Sequence, residues 1–96
     1  MDKELLAGFV VDIFDRLAVY ETTKDIELLR PALNSMEKQY KELKTFENPT
    51  AYTPKEKAFI KCFDSLKAAF EIGFISMEAR AFISYKLDIL SSGLIL

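Results

Sequence analysis

Apolar residues recur along this chain with a helical period. Leu5, Leu6, Phe9, Val10, Ile13, Phe14 and Leu17 are spaced to share one side of a helix, mostly as adjacent pairs four apart. That pattern marks a wide buried stripe. It predicts a first helix from about Asp2 to Tyr20, with Val11, Ala18 and Val19 widening the stripe. Asp2 and Glu4 stand in its first turn, where the helix dipole favours anions. Thr22 and Asp25 have the spacing of a capping pair and offer the next start. From there Ile26, Leu29, Leu33, Met36, Tyr40 and Leu43 advance in steps of three and four to about Glu47. Such a seam suits helices crossing at a shallow angle. Pro31 interrupts this second helix, because proline lacks a backbone donor and clashes with the preceding turn. The apolar phase runs on from Leu29 to Leu33, so the expectation is a kink at Pro31 rather than a break.

Punctuation divides the second half as clearly. Asn48-Pro49-Thr50-Ala51-Tyr52 reads as a loop. Thr53-Pro54-Lys55-Glu56 comes next, with a capping threonine, a proline at the first helical position and a glutamate to close a capping box. The third helix carries Phe59, Phe63, Leu66 and Phe70 on one stripe, with Ile60 and Cys62 beside it. Gly73 is placed to end it in the left-handed conformation, and Phe74 to pack back on it. Ser76 caps a fourth helix from about Met77 to Leu90, with Ala79, Phe82, Ile83, Leu87 and Leu90 as its buried face. Ser91-Ser92-Gly93 stops it, leaving an apolar end, Leu94-Ile95-Leu96. The expected fold is all-α, a compact four-helix bundle forming one domain over residues 1–96.

Composition narrows the function more than it reveals it. The 96 residues are half apolar and 29% charged, with three Gly and three Pro. That excludes a disordered tail or a flexible linker. No apolar run reaches the ~18–20 residues of a membrane span. The first residues, Met1-Asp2-Lys3-Glu4, lack the basic start of a secretory signal. No membrane contact is expected, and the cytoplasm is the expected compartment.

Catalytic groups are scarce. There is no His, so the commonest general base and metal ligand is missing. The one Cys, Cys62, lies among apolar residues and reads as a core side chain. Asp12 and Asp15 stand three apart, but a di-metal bundle needs Glu-x-x-His pairs. Three isolated glycines make no phosphate loop. The expectation is no enzyme, no cofactor and no metal.

A DNA-binding alternative rests on residues 66–90, which read as helix, Gly turn, helix. Its second helix would offer Arg80 and Lys86 to phosphate, against Glu78 and Asp88. Residues 1–48 hold seven bases and ten acids, and residues 49–96 hold six and five. Phosphate contacts supply most DNA affinity, so this balance disfavours a nucleic-acid partner.

Aromatic content points to a protein partner instead. Eight Phe and four Tyr are present, and Tyr suits interfaces because it joins apolar area to a polar tip. Tyr52, Tyr85, Leu94, Ile95 and Leu96 are the candidate partner-binding residues. The wide stripes on the first and fourth helices also suit a homo-oligomer. Leu66 to Leu90, with its Gly-Phe-Ile-Ser turn, resembles helical-hairpin modules at the C-termini of some bacterial proteins. The size and helix count are similar to small bacteriocin-immunity and phage-encoded inhibitor proteins. Neither resemblance transfers a functional residue. The expected role is a non-enzymatic interaction module: an adaptor, small subunit or inhibitor of a larger complex. A dimeric helix-turn-helix regulator is the alternative.

Overall fold

The computed structural model describes residues 2–45 and 51–94. Four helices, α1 (Lys3–Thr23), α2 (Leu29–Lys44), α3 (Pro54–Ile72) and α4 (Met77–Ser91), account for most of them, and no strand occurs among the described residues. A 3₁₀ turn, Ile26–Leu28, leads into α2. Each helix packs on its neighbour in the chain, and α1 closes the ring against α4. The Cα radius of gyration is 12.9 Å, close to the ~13 Å of a folded chain of this length.

The caps explain most boundaries. Asp2 accepts from the Glu4 N–H at 2.9 Å and starts α1. Thr53 and Glu56 form the expected reciprocal capping box on α3. Ser76 accepts from the Ala79 N–H at 3.0 Å and starts α4. Gly73, at φ 89°, ends α3 in the left-handed region, which an L side chain would strain.

The first junction differs from the sequence expectation. α1 runs through Thr22 to Thr23 and ends at Lys24, whose φ of 55° is left-handed. Thr22 is therefore inside a helix, and Asp25 is the residue that caps the 3₁₀ turn, accepting from the Glu27 N–H at 3.1 Å. Pro31 stands at the third position of α2, just past the 3₁₀ turn. Its disturbance falls where the pitch changes at the helix start, where N–H groups lack intrahelical acceptors anyway. α2 closes at Lys44. The expected extension to Glu47 and the Asn48-Pro49-Thr50 part of the loop lie outside the described residues.

The core gathers Leu6, Val10, Ile13 and Leu17 of α1 with Leu29, Ala32, Met36 and Leu43 of α2. Phe59, Cys62 and Leu66 of α3 and Ile83, Leu87 and Leu90 of α4 complete it. Phe9 and Phe59 meet across it with ring centroids 5.5 Å apart. Several residues expected inside are outside. Val11, Ala18 and Val19 are exposed and do not widen the α1 stripe. Phe74 and Phe82 are exposed too. In both cases a neighbour holds the inward position: Ile75 after Gly73, and Ile83 on α4. On α4 the adjacent Phe82 and Ile83 point about 100° apart, and Ile83 takes the inward direction.

Among the described residues, no helix is long and apolar enough to cross a membrane.

Candidate functional site

Two features meet where the end of α1 faces the start of α4. One is a cleft of about 310 Å³ lined by Tyr20, Glu21, Lys24, Ile75, Ser76, Met77, Arg80 and Ala81. The other is an exposed apolar surface running from the α3–α4 turn along α4.

Tyr20 builds the floor of the cleft. It is buried, and its hydroxyl oxygen accepts the Ile75 N–H at 3.0 Å. This bond fixes the turn after Gly73 against α1, 55 positions away in sequence. The Lys24 ammonium lies 5.4 Å from the Tyr20 ring centroid. Arg80 forms the opposite wall. One of its terminal nitrogens donates to Glu21 at 3.0 Å and the other to Ser84 at 2.7 Å. The buried Arg80 Nε has no hydrogen-bond partner among the described residues. Met77 is 87% exposed at the rim.

The exposed apolar residues here are Ile72, Phe74 and Met77 around the α3–α4 turn, and Phe82 and Tyr85 further along α4. Lys86 lies between the two rings, its ammonium 5.1 Å from the Phe82 centroid and 5.3 Å from that of Tyr85. A cation held over aromatic faces in this way orders both rings.

The candidate partner-binding residues separate. Tyr85 is on the exposed surface. Tyr52 is half-buried against the core, and its hydroxyl donates to the Leu43 carbonyl. Leu94 also packs partly against the core, next to Lys3, Glu4 and Ala7 at the start of α1. Ile95 and Leu96 lie outside the described residues. The two residues of the DNA reading are both engaged within the chain, Arg80 with Glu21 and Ser84, and Lys86 with the two rings.

Ile72, Phe74, Met77 and Phe82 were not among the candidates, yet part of the signal was present. Phe82 shares its row on α4 with Glu78 and Lys86, whereas Ile83 shares a row with Leu87 and Leu90. A row with charges at both ends faces solvent. The tie between Tyr20 and Ile75 left no such trace.

Ser76 accepts the α4 capping bond, and Ser84 accepts from Arg80. Burial pushes the Cys62 thiol up to about 12, away from the reactive thiolate. Tyr40 donates to Asp64 at 2.7 Å, and this hydrogen bond, with burial, pushes its hydroxyl up to about 12. Among the described residues, no three Cys or acidic side chains converge to hold a metal ion.

These two groups make alkaline stability predictable. Their ordinary values are 9.0 for Cys62 and 10.0 for Tyr40, and folding raises both. A raised value means the folded state holds the proton more tightly. The stabilisation is therefore whole below about pH 9 and is lost as pH rises towards 12. Urea midpoints are expected to hold steady from neutral pH to about 9 and then fall. Tyr40→Phe should remove the part of the fall that begins near pH 10. A midpoint unchanged up to about pH 11 would contradict both assignments.

No protein-family model matches the chain, and comparison with curated proteins and with solved structures gives no match.

Proposed function

We propose that this chain is a non-enzymatic protein–protein interaction module that docks through the α3–α4 turn and the outer face of α4. The observation that carries this reading is where the exposed apolar residues lie. Among the described residues, eight large hydrophobic side chains are exposed, and five of them fall between residues 72 and 85. The same bundle buries Phe59, Leu66, Ile83 and Leu87 completely, so its inward positions were filled without these five. A concentrated apolar surface rimmed by charge is the usual character of a contact site on a small soluble domain. Aromatic side chains near its centre supply most of the binding energy in such contacts. Phe82 and Tyr85, both beside the Lys86 ammonium, are the aromatic side chains that α4 brings to this surface.

The DNA-binding alternative draws less support. Arg80 would have to leave Glu21 and Ser84 to reach phosphate. An adaptor and an inhibitor would both use the same surface.

Affinity capture with the full chain as bait, with and without nuclease, tests the reading. The expected result is a stoichiometric protein partner that survives nuclease and is lost with Phe74→Ser/Phe82→Glu. Both substituted positions are exposed, so helical circular dichroism should be unchanged. Retention of the same partner by the variant would refute the surface. Recovery of nucleic acid alone would favour the alternative.

A further inference from the structure

We infer that the outer face of α4 is self-complementary and seats a second copy of this chain, antiparallel, about a two-fold axis at Phe82. The inference rests on that face being a docking surface, and it names the occupant.

Glu78, Phe82 and Lys86 succeed one another at four-residue intervals within α4. They form one row along the helix, with about 6 Å of rise between successive members. Glu78 and Phe82 are exposed, and Lys86 is half-buried with its ammonium over the Phe82 and Tyr85 rings. Among the described residues, neither Glu78 nor Lys86 has an ionic partner. The row therefore has an unpaired anion at one end, an unpaired cation at the other and an aromatic ring between them.

A two-fold axis perpendicular to α4 reverses the row. Glu78 of one copy then stands opposite Lys86 of the other. The same pair repeats about 12 Å away, beyond the two Phe82 rings. A two-fold contact has this requirement, because whatever a residue meets, its equivalent must meet in return. A parallel arrangement would set Glu78 against Glu78 and Lys86 against Lys86, which like-charge repulsion disfavours. Charge thus selects both the occupant and its direction.

Sedimentation equilibrium of the full chain from about 1 µM to about 1 mM tests the inference. A monomer–dimer equilibrium is expected. Glu78→Lys and Lys86→Glu should each weaken it by about tenfold or more, since each turns two attractions into repulsions. The double variant E78K/K86E rebuilds both pairs in reverse and should return to within about threefold of the unaltered chain. Unaltered helical circular dichroism confirms that the variants fold. A chain that stays monomeric at about 1 mM would overturn the inference. So would a dimer indifferent to the single reversals, or a double variant as weak as the singles. A monomeric chain whose captured partner is still lost with Phe74→Ser/Phe82→Glu would refute self-association while leaving the docking surface in place. A dimer that withstands Phe74→Ser/Phe82→Glu would contradict both.

Discussion

Phe59→Ala is expected to lower the unfolding free energy by about 3–5 kcal/mol. Phe59 has no solvent exposure, and its ring lies 5.5 Å from that of Phe9, across the interior from α3 to α1. Alanine removes the whole ring from the buried core. The surrounding side chains belong to elements tied by caps and turns, so they close the space only in part. The cost is the lost transfer of the ring plus the cavity left behind. Total stability for a domain of this size is about 5–15 kcal/mol, so this one change removes a large share. Urea unfolding followed by circular dichroism measures it. A loss below about 1 kcal/mol would mean that the centre collapses freely and that Phe59 is not the keystone of the core.

Tyr20→Phe deletes a single oxygen and is expected to cost about 1–3 kcal/mol. The ring stays and its packing is kept. What is lost is the acceptor for the Ile75 N–H, a bond between two buried residues. A buried donor left without a partner costs its full desolvation, which exceeds the net worth of the bond. The consequence is also local. Ile75 lies in the turn between α3 and α4, directly beside the exposed Phe74 and Met77. Hydrogen exchange at the Ile75 amide should speed up in the variant, and the other α3 amides should change less. Equal stability of Tyr20→Phe and the unaltered chain would show that this bond does not hold the turn.

Helices and their ends were largely legible in the residue order. The Thr53–Glu56 box, the Gly73 stop and the Ser76 cap depend on neighbours within four residues. Their hydrogen bonds join groups close together in sequence, so residue order alone identifies the partners. The same local logic failed at Thr22, because Thr22, Thr23 and Asp25 are all competent caps and only one junction is built. Lys24 settles it by turning left-handed, and Asp25 takes the cap.

The rows Leu6–Val10–Ile13–Leu17 and Ile83–Leu87–Leu90 were legible as inward faces and are buried. Phe74 beside Ile75 and Phe82 beside Ile83 are contests between similar side chains. Hydrophobicity does not decide them, since both members gain by burial. The direction from which the neighbouring helices approach decides them.

The docking surface belongs to that second kind of information. Its residue types are plain in the sequence, but they read equally well as core. Local chemistry alone specified an all-helical chain, its caps and the lack of a His-based active centre, because helical period, end signals and residue inventory are short-range properties. The burial of Tyr20 against Ile75, the engagement of Arg80 with Glu21 and the outward turn of Phe74, Met77 and Phe82 required the assembled bundle. They depend on which helix faces meet across 55 or more residues of chain, and no local rule of spacing carries that distance.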